Sequence, residues 1–335
     1  MRKIDGCCEE MNDFLIIGYG LIGKERLKSL IKIYSDKKFT CDIFDPNIDE
    51  NQKGFEKDKR VRFLNNKDDF TKRKYDLVII CTPHNLSKDY ACLFLNKNVD
   101  ILIEKPLGRN IDEMREILDH QKKSKIHVGF NYEYFEAIKH LKSDLSRNKF
   151  GELISVEMTI GHGNSPNMDK SWKLDPDVSG GGVLLDPGIH MIDLLYFLFD
   201  ADIQIISVAS WDGFWNTGIE EEVKILLKIN KTLVFVNISG VRWKSVFEIS
   251  VNGKDGYARI SGRGRTYGDQ VYYFGERWSW LNGKSQTDNE QLLSKSTCKN
   301  SFTDELEDII SGREANTSRA ISGMELYEKI RCKIV

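Results

Sequence analysis

The sequence predicts an α/β protein: a doubly wound parallel sheet at the N-terminus, then a C-terminal α/β domain built on an open, mostly antiparallel sheet. Three observations predict it. Short, unbroken, β-rich apolar runs alternate with helix-patterned segments over the first third of the chain, as buried parallel strands do. Beyond about residue 150 strand-like segments follow one another directly. The 335 residues, 40% of them hydrophobic, exceed the roughly 250 to 300 residues at which single cores stop growing. Two domains are therefore expected, 1–128 and 129–335, with the C-terminal helix packing back on the first.

Taken in order, strands are expected at Phe14 to Ile17, Phe39 to Phe44, Val61 to Leu64, Leu77 to Cys81, Val99 to Ile103 and Ile126 to Val128. Between them Leu27, Leu30, Ile31 and Tyr34 recur at helical spacing, as do Leu86, Tyr90 and Leu93, and then Ile111, Met114 and Leu118 after a candidate N-cap, Asn110. A helix patterned by Tyr134, Ile138, Leu141 and Leu145 comes next. Then the rhythm changes to ELISVEMTI, IQIISVASW, EVKILLKI, TLVFVNISG, VFEISVNG, YARISG and VYYFGERW. The connections NKT and NGKDG have hairpin chemistry, because Asn and Gly accept positive φ. One helix is expected from Pro187 to Phe199 and a closing pair from Phe302 to Cys332, while LNGKSQTDNEQLLSKSTCKN reads as an exposed loop.

Composition narrows the function. The 49 basic and 51 acidic residues nearly cancel and no basic block stands out, so nucleic acid is not an expected partner. The longest apolar stretch, VLLDPGIHMIDLLYFLF, is too short and polar to span a bilayer, and MRKIDGCCEEMND has no apolar run of signal-peptide type. A cytoplasmic protein without a membrane partner is expected. Seven scattered cysteines with no CxxC pair indicate neither a metal site nor a disulfide framework.

Chemistry enters at Gly18-Tyr19-Gly20-Leu21-Ile22-Gly23. A first glycine permits a tight turn, a second lets backbone approach a pyrophosphate, and a third lets helix pack on strand. Alone the pattern fits an ordinary turn as readily as a cofactor cradle. Here a strand precedes it, a patterned helix follows, and Asp45 ends the next strand, where an acid accepts hydrogen bonds from the adenosine ribose. That context favours a dinucleotide, and the lack of a cation in Pro46, Asn47 and Ile48 favours NAD over NADP; the alternative is that Asp45 merely opens a polar turn. Cys81, Thr82 and Pro83 end the fourth strand, and Glu104 and Lys105 the fifth, at the sheet edge where ligands collect. A surface ion pair would also explain Glu104 and Lys105.

The second constellation is SGGGVLLDPGIHMIDLLYF. With a helix starting at Pro187, Asp186 is its N-cap, and Asp186, His190, Asp193 and Phe197 share one face. A histidine between two acids suits a general base, since its pKa lies near neutrality and a neighbour orients it.

These motifs, in this order, resemble the glucose-fructose oxidoreductase, inositol dehydrogenase and MocA family: the glycine turn, Thr82-Pro83, Glu104-Lys105-Pro106, Ser171-Trp172-Lys173, and Gly180-Gly181-Gly182 through Asp186-Pro187-Gly188-Ile189-His190-Met191-Ile192-Asp193. The resemblance runs from Phe14 to the segment ISGMELYEKI. It implies an N-terminal Rossmann domain, a bound nicotinamide cofactor, and an antiparallel sheet used to form a homodimer or homotetramer. It implies that Lys105 hydrogen-bonds the reacting oxygen, His190 exchanges the hydroxyl proton, Asp186 orients substrate or histidine, and the Lys105-Pro106 peptide is cis. Asn131, Tyr132, Trp172 and Lys173 are implied substrate contacts, although Trp172 also suits a core anchor. The chain departs from the family at Ser87, where a histidine is common, and at Tyr132, where an arginine often follows Asn131. The expected function is hydride transfer between nicotinamide and a hydroxyl or keto carbon of a sugar, nucleotide-linked sugar or cyclitol. The alternatives are a cofactor-recycling glycosidase and a silent dinucleotide sensor.

Overall fold

The computed structural model describes residues 12–48, 58–199, 201–277 and 290–334, and the backbone of Lys3–Ile4 and Cys7–Cys8, which pair as a short antiparallel hairpin. The chain divides into two compact units, one of residues up to Phe130 with Phe302–Ile321, the other of Asn131–Ser301 with the residues from Ser322 onward.

Besides that hairpin, the described residues of the first unit form a sheet of six strands, β1 (Asp13–Ile17), β2 (Thr40–Phe44), β3 (Val61–Leu64), β4 (Leu77–Ile80), β5 (Asp100–Glu104) and β6 (Ile126–Gly129). All their pairings are parallel, in the order β3-β2-β1-β4-β5-β6. That order reverses between β1 and β4, and the carboxyl ends of strands beside such a switch point form a crevice. Every residue of β4 and the last four of β1 are buried, which is why these strands read as unbroken apolar runs. The crossovers carry α1 (Leu21–Ile33), α2 (Lys67–Thr71), α3 (His84–Asn96) and α4 (Ile111–Asp119). Asn110 does cap α4, accepting the Glu113 N–H at 2.9 Å.

The second unit carries α5 (Glu136–Ser146), β7 (Leu153–Gly161), α6 (Pro176–Ser179), α7 (Gly188–Phe199) and seven more strands: β8 (Ile203–Trp211), β9 (Glu222–Ile229), β10 (Thr232–Ser239), β11 (Val246–Gly253), β12 (Gly256–Ser261), β13 (Gln270–Glu276) and β14 (Gln291–Ser296). They form one sheet in the order β8-β9-β10-β7-β11-β12-β13-β14. Only the β10 to β7 pairing is parallel. Asn230 in the NKT turn adopts φ 54°, the conformation the hairpin requires.

Two expectations need correction. Helix α7 begins at Gly188, after a cis Asp186-Pro187 peptide, so Asp186 is not its N-cap and shares no helix face with His190. In the stretch read as an exposed loop, residues 281–289 lie outside the described residues, but Gln291–Ser296 is the edge strand β14. Its partner β13 supplies the ladder, so it needs no apolar face of its own.

The C-terminal helices are α8 (Ser301–Ile310) and α9 (Thr317–Arg331). Leu306 and Ile309 enter the core formed by Phe14, Ile16, Leu27, Leu30, Ile43, Leu77 and Leu102. Before α9, the Asn316 amide both donates to the Val128 carbonyl and accepts its N–H, each at 2.8 Å, which covers the edge strand β6. Among the described residues no helix is long and apolar enough to cross a membrane.

His127 of β6 is 4% exposed, and burial, reinforced by the charges of Lys125 and Arg313, lowers its pKa from 6.5 to about 4. As pH falls the unfolded chain therefore takes up this proton first, so the contribution to stability is complete above about pH 6.5 and is lost as pH falls toward 4. Between pH 7 and about pH 4.5 this one group should cost the protein about 2 to 3 kcal/mol. Urea unfolding of the wild type and His127→Gln at both pH values checks it; equal acid losses in the two proteins would contradict the assignment.

Candidate functional site

In the first unit the strand–turn–helix at the end of β1 is governed by glycine. Gly18 has φ 91°, and a Cβ there would lie 2.5 Å from the Cys81 carbonyl oxygen. A Cβ at Gly23 would collide with the Gly18 carbonyl, so the first turn of α1 rests directly on the strand end. Gly20 differs: a Cβ there would meet no atom within 4 Å. That open space at a helix N-terminus, where amide hydrogens lack partners, is what a pyrophosphate cradle needs. Leu21 is 66% exposed, Ile22 is half-buried, and Gly23 is enclosed.

Asp45, at the end of β2, stands beside this turn. Its carboxylate accepts the Tyr19 N–H at 2.7 Å and the Asn47 N–H at 2.9 Å, one on each oxygen, which fixes it while leaving lone pairs for further donors. At the end of β4, burial raises the Cys81 thiol well above its usual pKa, so the residue contributes its carbonyl under Gly18 rather than a thiolate. Thr82 Oγ1 lies 3.1 Å from Ser87 Oγ, which donates to the Pro83 carbonyl at 3.3 Å. The serine at this point of departure from the family thus ties the turn to α3.

Glu104, at the end of β5, is held by a residue the sequence did not single out. Arg26 of α1 has a fully buried side chain; its Nε donates to Glu104 Oε1 at 2.8 Å, and its Nη2 pairs with Glu104 at 2.6 Å and Glu305 at 2.7 Å. Burial alone would lower the Arg26 pKa, but the two carboxylates raise it by more. The neighbouring Lys105 is partly buried and joined to Pro106 by a cis peptide, as the resemblance implies.

In the second unit the triple glycine is organised by Glu220, whose carboxylate accepts the N–H groups of Gly182 and Leu184, both at 3.1 Å. Burial raises the Glu220 pKa against the pull of these bonds, and a Cβ on Gly182 would strike the Glu220 carbonyl. The turn so fixed delivers Asp186, which pairs with Lys173 at 2.9 Å. The Asp186 charge is the main cause of a raised Lys173 pKa, so the ammonium keeps its proton. His190, in the first turn of α7, is 6% exposed and stacks on Tyr132 with centroids 3.9 Å apart and planes 5° from parallel. Tyr132 also packs on Phe135 and Phe247, and burial raises its phenol pKa. Asn131 is buried, with its amide donating to Ser301 Oγ at 2.9 Å. Trp172 is half-buried, its ring 5.9 Å from the Lys173 ammonium.

Two neighbours escaped the sequence reading. His162 follows β7 and accepts the Asn164 N–H on Nδ1 at 3.2 Å, so the neutral ring carries its proton on Nε2. Burial lowers its pKa; Asp186 opposes that, while Lys173 and Arg263 reinforce it. Arg263 lies between β12 and β13, its guanidinium 3.8 Å from the Tyr267 ring centroid and 5.3 Å from that of Tyr132. The available signals were a histidine just past a strand in GHGN and an arginine between glycines in GRGR.

Residues 13–132 match the profile described as the oxidoreductase family with an NAD-binding Rossmann fold, and residues 138–259 match the GFO/IDH/MocA C-terminal domain. The chain belongs to this family of oxidoreductases, an NAD(P)-binding one. Among curated relatives it is 27% identical over 234 residues to glucose-6-phosphate 3-dehydrogenase of Bacillus subtilis, covering 67% of this chain and 65% of that protein. The chain spans about two thirds or less of the length of the first curated relatives it matches. Its fold is that of a 3-ketoreductase from Actinomadura kijaniata solved with NADP, at TM-score 0.78, 14% identity and coverage of 97% and 98% of the two chains. It is equally that of a levoglucosan dehydrogenase solved with NADH, at TM-score 0.77, 16% identity and coverage of 96% of each chain.

The glycines should separate fold from ligand binding. Gly20→Ala should leave the melting temperature within about 2 °C of wild type while weakening NADH binding at least about tenfold, since its Cβ enters space only a ligand would fill. Gly23→Ala, which forces backbone apart, should cost about 2 to 4 kcal/mol of stability. Calorimetric titration and thermal unfolding check both, and full NADH affinity in Gly20→Ala would rule out a pyrophosphate over this turn.

Proposed function

We propose that the chain is an NAD-dependent oxidoreductase acting on a hydroxyl- or keto-bearing carbon of a sugar, nucleotide-linked sugar or cyclitol. The observation that carries the proposal is the open space over Gly20, beside the anchored carboxylate of Asp45, at the switch point of a β3-β2-β1-β4-β5-β6 sheet. Gly18, Gly20, Leu21, Ile22 and Gly23 would hold the pyrophosphate, Asp45 the adenosine ribose, and Cys81, Thr82, Pro83, Glu104 and Lys105 the nicotinamide end. When bound, the nicotinamide supplies or receives the hydride. Preference for NAD rests on Asp45, whose charge repels a 2′-phosphate, and on the absence of a cation in Pro46, Asn47 and Ile48. The Bacillus relative and levoglucosan dehydrogenase bear the names of sugar dehydrogenases, which supports a sugar-like substrate.

In this reading His190 takes the hydroxyl proton during oxidation, and Lys105 donates to the oxygen on which negative charge develops. Stacking on Tyr132 holds the imidazole plane, so little orientation is left to chance in the transition state. Asp186, pinned by Lys173, accepts from a substrate hydroxyl, with Trp172 and Tyr132 as flanking walls and Asn131 as a buried support. We further take the protein to be cytoplasmic and to self-associate through the second sheet, where Ile154, Leu233 and Phe235 stand 42%, 48% and 38% exposed.

His190→Ala and Lys105→Ala should each lower turnover by roughly 10² to 10⁴ with little change in NADH affinity, because a positioned proton donor or acceptor acts on the transition state. Lys105→Arg should not rescue, since a planar fork does not reproduce a compact ammonium. Steady-state NADH formation over a sugar panel measures this. Wild-type turnover in either folded alanine variant would remove that residue from the mechanism.

A further inference from the structure

We infer that the second unit selects a sugar carrying an anionic substituent, a carboxylate or a phosphate, and that Arg263 is the residue that recognises it. The inference rests on the reading of this unit as the sugar-binding half, and deepens it by naming the charge of the ligand.

Charge is unevenly balanced in this part of the second unit. Lys173 and Asp186 neutralise one another across 2.9 Å. Arg263 makes no ion pair among the described residues, and its Nε is buried without a hydrogen-bond partner. Its guanidinium instead lies over phenol rings, 3.8 Å from the Tyr267 centroid and 5.3 Å from that of Tyr132. Aromatic faces stabilise a cation modestly; Arg263 also hydrogen-bonds Tyr267 and feels the Asp186 charge, but its Nε–H stays unfilled and no anion pairs with it among the described residues. A partly desolvated guanidinium lacking a carboxylate is costly unless something completes it, and the group that suits a planar fork is a bidentate anion. A sugar hydroxyl accepts a hydrogen bond but leaves the charge uncompensated. A carboxylate or phosphate does both.

Position supports the same reading. Tyr132, under the guanidinium, is the ring on which His190 stacks, so Arg263 stands one aromatic ring from the proposed base. His162, with Nδ1 engaged by Asn164, offers a neutral Nε2–H where the charges of Asp186, Lys173 and Arg263 all act. The loop carrying Arg263 is not a swinging arm. Gly262 and Gly264 adopt φ 81° and 79°, the Gly262 N–H donates to Phe247 at 2.9 Å and the Gly264 N–H to Gly268 at 2.6 Å. A fixed arginine discriminates by geometry as well as charge.

The test compares glucose with glucuronate and glucose 6-phosphate, and galactose with galacturonate and galactose 6-phosphate. NAD reduction and calorimetric binding to the NADH-loaded protein are measured for wild type, Arg263→Met and Arg263→Lys. The expected result is a preference of about tenfold to a hundredfold for an anionic sugar over its neutral parent, collapsing toward one in Arg263→Met and partly kept in Arg263→Lys. The Lys variant separates lost charge from lost fold, and the better anion tells carboxylate from phosphate. Neutral sugars used as well as charged ones, a preference that survives Arg263→Met, or failure of every charged sugar to bind would overturn the inference. NADH formation from neutral sugars would then leave the oxidoreductase reading standing. Arg263-dependent binding of a charged sugar without any NAD reduction would instead uphold the inference and count against that reading.

Discussion

The first unit depends on one contact, the seating of α1 on the end of β1, made possible because Gly23 has no Cβ to meet the Gly18 carbonyl. It fixes where the helix starts, and so where its unpaired amide hydrogens lie. It brings the Tyr19 N–H within 2.7 Å of Asp45, joining the ends of β1 and β2. Less than one further turn along, it sets Arg26 against Glu104 and Glu305, so that α1, β5 and α8 share one buried guanidinium. Burying such a group is tolerable only while its partners remain; removing one partner of a buried pair typically costs about 3 to 5 kcal/mol. The strand end that carries Lys105 is thus anchored by a residue 79 positions earlier in the chain.

The second unit applies the same logic with an acid at the centre. Glu220 supplies acceptors to a turn too tight to satisfy its own amide hydrogens, and Gly182 leaves room for it. Asp186 and His190 follow within eight residues of Gly182. One is then held by an ion pair and the other by ring stacking. Both are thus held in place by contacts within the protein itself.

Much of this was legible in the sequence, and what was not has a common cause. The strands of the first sheet, the glycine turn and the Asn110 cap are written in neighbouring residues, where periodicity and turn chemistry are local signals. The constellation around His190 was visible as a motif, but its geometry was not. A helix starting at Pro187 put Asp186 and His190 on one face, whereas the helix starts at Gly188 and Asp186 sits in the turn before it. β14 was missed because QLLSKS is an edge strand with solvent on one side, so alternation is weak. Arg26, Glu220 and Arg263 were missed because each meets a residue distant in sequence, and a lone charged residue in a pattern looks like a solvated one; His162 was missed because its buried surroundings come from other elements.

The central claim is that the turn at Gly18 to Gly23, with Asp45 beside it, holds a nicotinamide dinucleotide and discriminates against a ribose phosphate. Calorimetric titration of the whole protein with NADH and NADPH, repeated on Asp45→Ala, tests it most directly. Saturable binding of both is expected, tighter for NADH, with the gap narrowed by the substitution. Absence of binding by either nucleotide, or NADPH binding as tightly as NADH in the wild type, would contradict it.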